Sequence, residues 1–104
     1  MIITTSDNVP GREIAETLGL VTENSVRARN VGRDVLAGLK NLTGGEIGAY
    51  RQLLNESRQE VIERLTAQAE SMGADAIVAL RLSTAAVMQG AAEILAYGTA
   101  VKLR

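Results

Sequence analysis

Apolar residues recur along this chain with two different periods, and the change of period marks out its elements. From Glu46 to Met72 they return every three or four positions: Ile47, Tyr50, Leu54, Val61, Ile62, Leu65, Ala69 and Met72, with Ser57 and Ala67 as small neighbours. That is the spacing of one helix face. The stretch has no proline, Gly44-Gly45 stands before it and Gly73 follows it, so the pattern predicts one long amphipathic helix. Arg51, Glu56, Gln59, Glu60, Glu63, Arg64 and Glu70 fall mainly outside the stripe. Glu60 and Arg64 stand four apart, in the favourable order for an intrahelical pair.

On either side the period shortens to two. Ile2-Ile3-Thr4-Thr5 is β-branched and reads as a first strand. Ser6 to Gly11 is a turn cluster in which Pro10 presets one angle and Gly11 accepts a positive φ. Arg12 to about Arg29 is extended, with Ile14, Glu16, Leu18, Leu20 and Thr22 expected on one face. The run is long for one strand, so a bulge at Gly19 or a break near Glu23-Asn24 is expected. Asn30 then reads as the N-cap of a short helix carrying Val31, Val35, Leu36, Leu39 and Leu42, which ends at Thr43-Gly44-Gly45.

After the long helix, Ala74 to Thr84 alternates, with Ala76, Val78, Leu80 and Leu82 expected to share a face. Met88-Gln89-Gly90 reads as a hairpin loop. Glu93 to Leu103 is the last strand, with Leu95, Tyr97, Thr99, Val101 and Leu103 on one side. The order is β-β-α-α-β-β. This is an α+β class chain, a single domain over residues 1–104, with an antiparallel-rich sheet and one long and one short helix packed on one face.

Composition changes this picture in one respect. The 104 residues include no Phe, no Trp and two tyrosines, so the core must be built from Leu, Ile, Val and Met. Aromatic rings normally supply the largest buried areas. Without them a chain this short needs very close backbone packing or a neighbouring subunit. A tight monomer and an oligomer both satisfy that need, and association is the expected answer.

Charge removes several classes of function. The net charge of −1 implies no strongly basic face, so nucleic acid is not an expected partner. No apolar run approaches a membrane span, and Met1-Ile2-Ile3 leads straight into Thr4-Thr5-Ser6-Asp7, which does not read as a secretory leader. No membrane partner is expected, and the expected location is cytoplasmic. The charge is also uneven. Asp7, Glu13, Glu16 and Glu23 outnumber Arg12 in the first part, while Arg27, Arg29, Arg33, Lys40 and Arg51 outnumber Asp34 and Glu46 in the next. The two regions either meet across a subunit contact or form an ordinary solvated surface.

Candidate chemistry is sparse. There are no cysteines and no histidines, which removes thiol chemistry, the commonest general base and the commonest transition-metal ligand. No nucleophile stands with a recognisable base, so no catalytic residue is assigned and the chain does not read as an enzyme. Gly44-Gly45-Glu46-Ile47-Gly48 precedes a helix, but it lacks the Lys-Ser/Thr pair of a phosphate loop and reads as a turn. Glu13/Glu16 and Glu60/Glu63 read as solvating charges. Four residues stand as interface or ligand candidates: Arg33, Asp34, Tyr50 and Asp75. Arg33-Asp34 fits a structural ion pair or a contact to another subunit. Tyr50 and Tyr97 are expected to fill core space, given how few large groups exist, with ligand stacking as the alternative. No cofactor is identified.

Val21-Thr22-Glu23, the run from Asn30 to Leu39 containing Arg33-Asp34, Gly44-Gly45-Glu46-Ile47-Gly48-Ala49-Tyr50, Gly73-Ala74-Asp75-Ala76 and Gly98-Thr99-Ala100-Val101 together resemble the YbjQ-like family of small prokaryotic proteins. These proteins carry a heavy-metal-binding label and no characterised function. The resemblance covers nearly the whole chain. It implies a dodecin-like α+β subunit in a homopentameric ring, with Asp34 and Asp75 at motif positions. Arg81, Ser83 and Thr84 stand where relatives often carry acidic residues, and Val35 and Leu36 replace the phenylalanines typical of the short helix. Soft-metal sites want Cys or His, which this chain lacks; a hard cation on carboxylates is the form of metal binding left open. The leading expectation is a self-assembling structural or binding module. The alternative is a metal or small-ligand binder with sites at subunit interfaces or in the ring lumen.

Overall fold

A computed structural model of the chain describes residues 1–28, 44–88 and 91–104. Ile2–Ile3 form β1, Ile14–Ala28 form β2, Gly44–Ser71 form α1, Ala76–Met88 form β3 and Ala91–Leu103 form β4. The short helix expected from Asn30 to Leu42 lies outside the described residues. So does the Gln89-Gly90 tip of the β3–β4 hairpin, although Met88 and Ala91 pair across it.

The strands form one sheet in the order β1-β3-β4-β2. β4 is antiparallel to both β2 and β3, and β1 joins the edge of β3 in parallel. The antiparallel-rich sheet with a long helix on one face is therefore present. The first turn also forms as the sequence requires. The Arg12 amide donates to Val9 O at 3.0 Å, and Gly11 takes φ 82° in the turn.

The helix ends where a residue without Cβ can turn the chain. Gly73 adopts φ 80°, its amide donates to Glu70 O at 3.0 Å, and the Ala74 amide donates to Ala69 O at 3.1 Å. These two bonds satisfy carbonyls that the last turn leaves open. They also aim the chain back along the sheet as β3.

The core lies between α1 and the sheet. Val61, Leu65 and Ala69 are fully buried against Val21, Ile77, Ile94, Ala96 and Ala100, with Leu54 and Met72 packed at the ends. Ser57 is buried on the same stripe, its hydroxyl donating to Leu53 O at 3.1 Å. The stripe is narrower than its sequence indicated: Ala67 is exposed and Ile62 is half-buried. A narrow stripe covers a narrow strip of sheet, and α1 packs chiefly on β2 and β4 and barely on β3.

Two bulges alter the expected faces. The β2–β4 register shifts between Thr17 and Gly19, so Leu18 and Val21 pack into the core while Leu20 turns outward, away from the face expected to hold Leu18 and Leu20 together. In β3, Ala79 takes φ 55° and the register with β4 shifts between Val78 and Arg81. Ile77 and Leu80 consequently share the main core, while Ala76 and Val78 join Val101, Val9, Ile14 and Leu103 in a second cluster. The N-terminal chain holds this bulge: the Ala79 amide donates to Ser6 O at 2.8 Å and the Leu80 amide to Thr4 O at 3.0 Å. Opposite it, a Cβ on Gly98 would stand 2.8 Å from Ile77 Cγ2 and 3.2 Å from Val78 O. The bulge closes onto bare backbone that no other residue could offer.

Candidate functional site

Asp75 is the sequence candidate the structure describes in full, and it sits at the junction of three elements. Its amide donates to Val101 O at 2.9 Å, and its carbonyl accepts from the Ile2 amide at 3.4 Å. Its carboxylate Oδ2 accepts from the Leu103 amide at 2.9 Å. The side chain thus ties the start of β3 to the end of β4. Tyr50 lies within α1, but its side chain is outside the described residues, as are Arg33 and Asp34 altogether.

The remaining polar contacts are mostly between side chains and distant backbone. Arg81 Nη1 donates to Thr5 O at 2.9 Å and to Leu80 O at 2.8 Å, fastening the N-terminal chain to the bulge. Arg64 pairs with Glu60, as the spacing predicts, and its Nη1 also donates to Asn24 O at 3.2 Å. Gln68 Oε1 accepts from the Thr22 amide at 3.3 Å. Helical spacing places Arg64 and Gln68 on one flank of α1, but nothing local announces that β2 lies within their reach. Arg81 likewise carries no local signal of its contacts.

Among the described residues no helix covers the face of the sheet opposite α1. Its rows follow from the register: Leu20 beside Thr99, then Thr22, Tyr97 and Arg81, then Asn24, Leu95 and Ser83, then Val26, Glu93 and Ala85. Asn24 Nδ2 donates to Glu93 Oε2 at 3.0 Å across one of these rows. The second apolar cluster shields one end of this face. At the other end Leu20 is 67% exposed, Val26 54% and Tyr97 40%, and Leu82, on the α1 side near the β3 edge, is 42% exposed. Tyr97 does not fill core.

A heavy metal finds few donors here. The chain has no Cys and no His, and no group of three or more Asp or Glu side chains converges among the described residues. Asp75 offers one carboxylate, with one oxygen engaged by the Leu103 amide. The described donor set does not fit a soft metal. No helix among the described residues is long and apolar enough to cross a membrane.

Among the described residues, one long helix on a four-stranded, antiparallel-rich sheet defines a small α+β fold. The family model YbjQ_1, described as "Putative heavy-metal-binding", matches residues 1–104, and the chain belongs to this family. A UPF0145 protein of Photobacterium profundum is 57% identical over 103 residues, covering 99% of this chain and 100% of its own. A UPF0145 protein of Archaeoglobus fulgidus is 55% identical over 104 residues, covering 100% and 96%. Among solved structures, a protein of unknown function of the DUF74 family from Pediococcus pentosaceus superposes with a TM-score of 0.69 over 100% of this chain and 98% of its own, at 20% identity. That likeness shows a shared fold.

Proposed function

We propose that this chain is a non-enzymatic, self-assembling module whose identical subunits close a ring and act as a structural or binding unit. The observation that carries the reading is the exposure of Leu20, Val26, Leu82 and Tyr97. An aromatic-poor subunit has few large side chains, and leaving four of them at the surface gives up burial worth about 1.5–3 kcal/mol for each large aliphatic side chain fully covered. Exposed apolar surface of this kind marks association sites. Five is the subunit number that the family resemblance implies.

The second reading is a metal or small-ligand binder, and the family description favours it. Among the described residues a single copy groups too few donors, so in this reading the site lies where copies meet, at an interface or in the lumen. Repetition of one carboxylate around a ring makes a ligand set of oxygen donors, suited to a hard cation. Native mass spectrometry with and without added divalent metal separates the readings. A multi-subunit species that takes up no metal supports the structural module. Stoichiometric metal that survives dialysis supports the binder. A species of one subunit in both conditions overturns the assembly.

A further inference from the structure

We infer that the N-terminal chain up to Ser6 is a latch that selects the register of β3, and with it the side chains shown on the sheet face opposite α1. This concerns a single copy and does not rest on the ring reading. Continued from Val78 opposite Thr99, unbroken alternation pairs Leu80 with Tyr97, Arg81 with Ala96 and Leu82 with Leu95. Leu80 and Leu82 then point away from α1, and Arg81 and Ser83 point toward it. The bulge at Ala79 moves the pairing by one residue and reverses these assignments, as any such slip must. Arg81 stands opposite Tyr97, Leu82 opposite Ala96 and Ser83 opposite Leu95, and Leu80 is buried.

The bulged register holds strain, and the groups that offset it lie outside the hairpin. Ala79 is an alanine at φ 55°, a conformation that persists only where its surroundings impose it. Its amide donates to Ser6 O and the Leu80 amide to Thr4 O. The Thr4 amide donates to Ile77 O at 2.9 Å, and Arg81 Nη1 donates to Thr5 O. Every one of these bonds ends on the N-terminal chain, and that chain is a light clasp. β1 has 2 residues, both exposed, and pairs with β3 alone at the end of the sheet. The slipped register lies within reach. α1 barely packs on β3, so an Arg81 turned to that side extends past the sheet edge to water. The pairing already shifts again between Ala86 and Met88, where the hairpin takes up the slip. With the latch closed the face opposite α1 shows Arg81 beside Tyr97. With it released that face gains Leu80 and Leu82 and loses Arg81, changing from charged to apolar.

Cross-strand cysteine pairs read the register directly, because the full-length chain has no cysteine of its own. Ser83→Cys with Leu95→Cys places two thiols opposite each other on one face in the latched register, within disulfide reach. Leu82→Cys with Leu95→Cys places them on opposite faces until β3 slips. Each pair is oxidised, and free thiols are counted in the one-subunit band of a non-reducing gel. Without further change, the first pair should close and the second should stay reduced. Thr4→Pro removes the amide that holds Ile77 O and should shift closure from the first pair to the second. Adding Ala79→Gly to Thr4→Pro relieves the strain of the bulge and should return closure to the first pair. Arg81→Ala, which removes only the bond to Thr5 O, serves where Thr4→Pro does not fold by circular dichroism. Closure of the first pair alone in a folded latch variant overturns the inference. So does closure of the second pair with the latch intact, closure of neither pair, or loss of the fold in both latch variants.

Discussion

The carboxylate of Asp75 accepts the Leu103 amide at 2.9 Å across the end of the sheet. A residue at a motif position of a family described as metal-binding is therefore engaged in holding two strands together. Asp75→Ala removes the acceptor and should destabilise the fold by about 1–2 kcal/mol, the lower end of a charge-assisted bond because the side chain is exposed. Asp75→Asn keeps an acceptor and should lose less. Urea denaturation of the three proteins checks this, and equal midpoints would show that the bond contributes nothing.

Gly73 and Gly98 should fail in different ways when given a methyl group. At Gly73 the backbone is left-handed and the nearest atom to an added Cβ is Lys102 Cε at 3.6 Å, an ordinary contact. Gly73→Ala should cost about 1 kcal/mol through conformation alone. At Gly98 the obstacle is space, with Ile77 Cγ2 at 2.8 Å and backbone of Val78 at 3.2 Å. Gly98→Ala should cost about 1–3 kcal/mol through overpacking. Thermal or denaturant unfolding ranks the two.

Much of the architecture was legible, and what was not traces to the bulges. Pro10-Gly11, Gly73 and the Glu60–Arg64 pair behave as their local chemistry dictates. The period-two pattern located β2, β3 and β4, and Gly19 marked the bulge in β2, but the face assigned to Leu20 was not shifted for it and nothing marked the bulge in β3. Ala79 sits in a run of small and aliphatic residues that gives no sign of a positive φ. The bulge there comes from Ser6 and Thr4, which are distant in sequence, and from the space left by Gly98. Leu20 was misassigned for a similar reason, one bulge earlier. For the candidate site, residue type identified Asp75 and could not reveal its partner, because a contact between residues 75 and 103 is a property of the sheet register. Arg33 and Asp34 lie outside the described residues.

Ala79 offers a test of that account. A left-handed alanine is strained by about 1–2 kcal/mol, which glycine relieves at some cost in unfolded-state entropy. Ala79→Gly should be neutral to stabilising by up to about 1 kcal/mol, whereas glycine elsewhere in a strand destabilises. A loss of more than about 1 kcal/mol in denaturant unfolding would contradict the bulge.

Core and surface leucines should separate stability from association. Leu65 is fully buried, and Leu65→Ala should cost about 2–5 kcal/mol. Leu82→Ser, at a partly exposed position, should leave most of the subunit's fold intact while weakening self-association. Circular dichroism and sedimentation of both variants distinguish the effects; a Leu82→Ser protein that assembles like the parent would contradict the role given to that side chain.

Self-assembly is the claim on which the rest depends, and molar mass in solution tests it most directly. Light scattering on the purified chain, diluted stepwise to micromolar concentration, should return a fixed multiple of 11.0 kDa, five-fold for the ring size the family resemblance implies. A mass of 11.0 kDa throughout the dilution series would contradict the account.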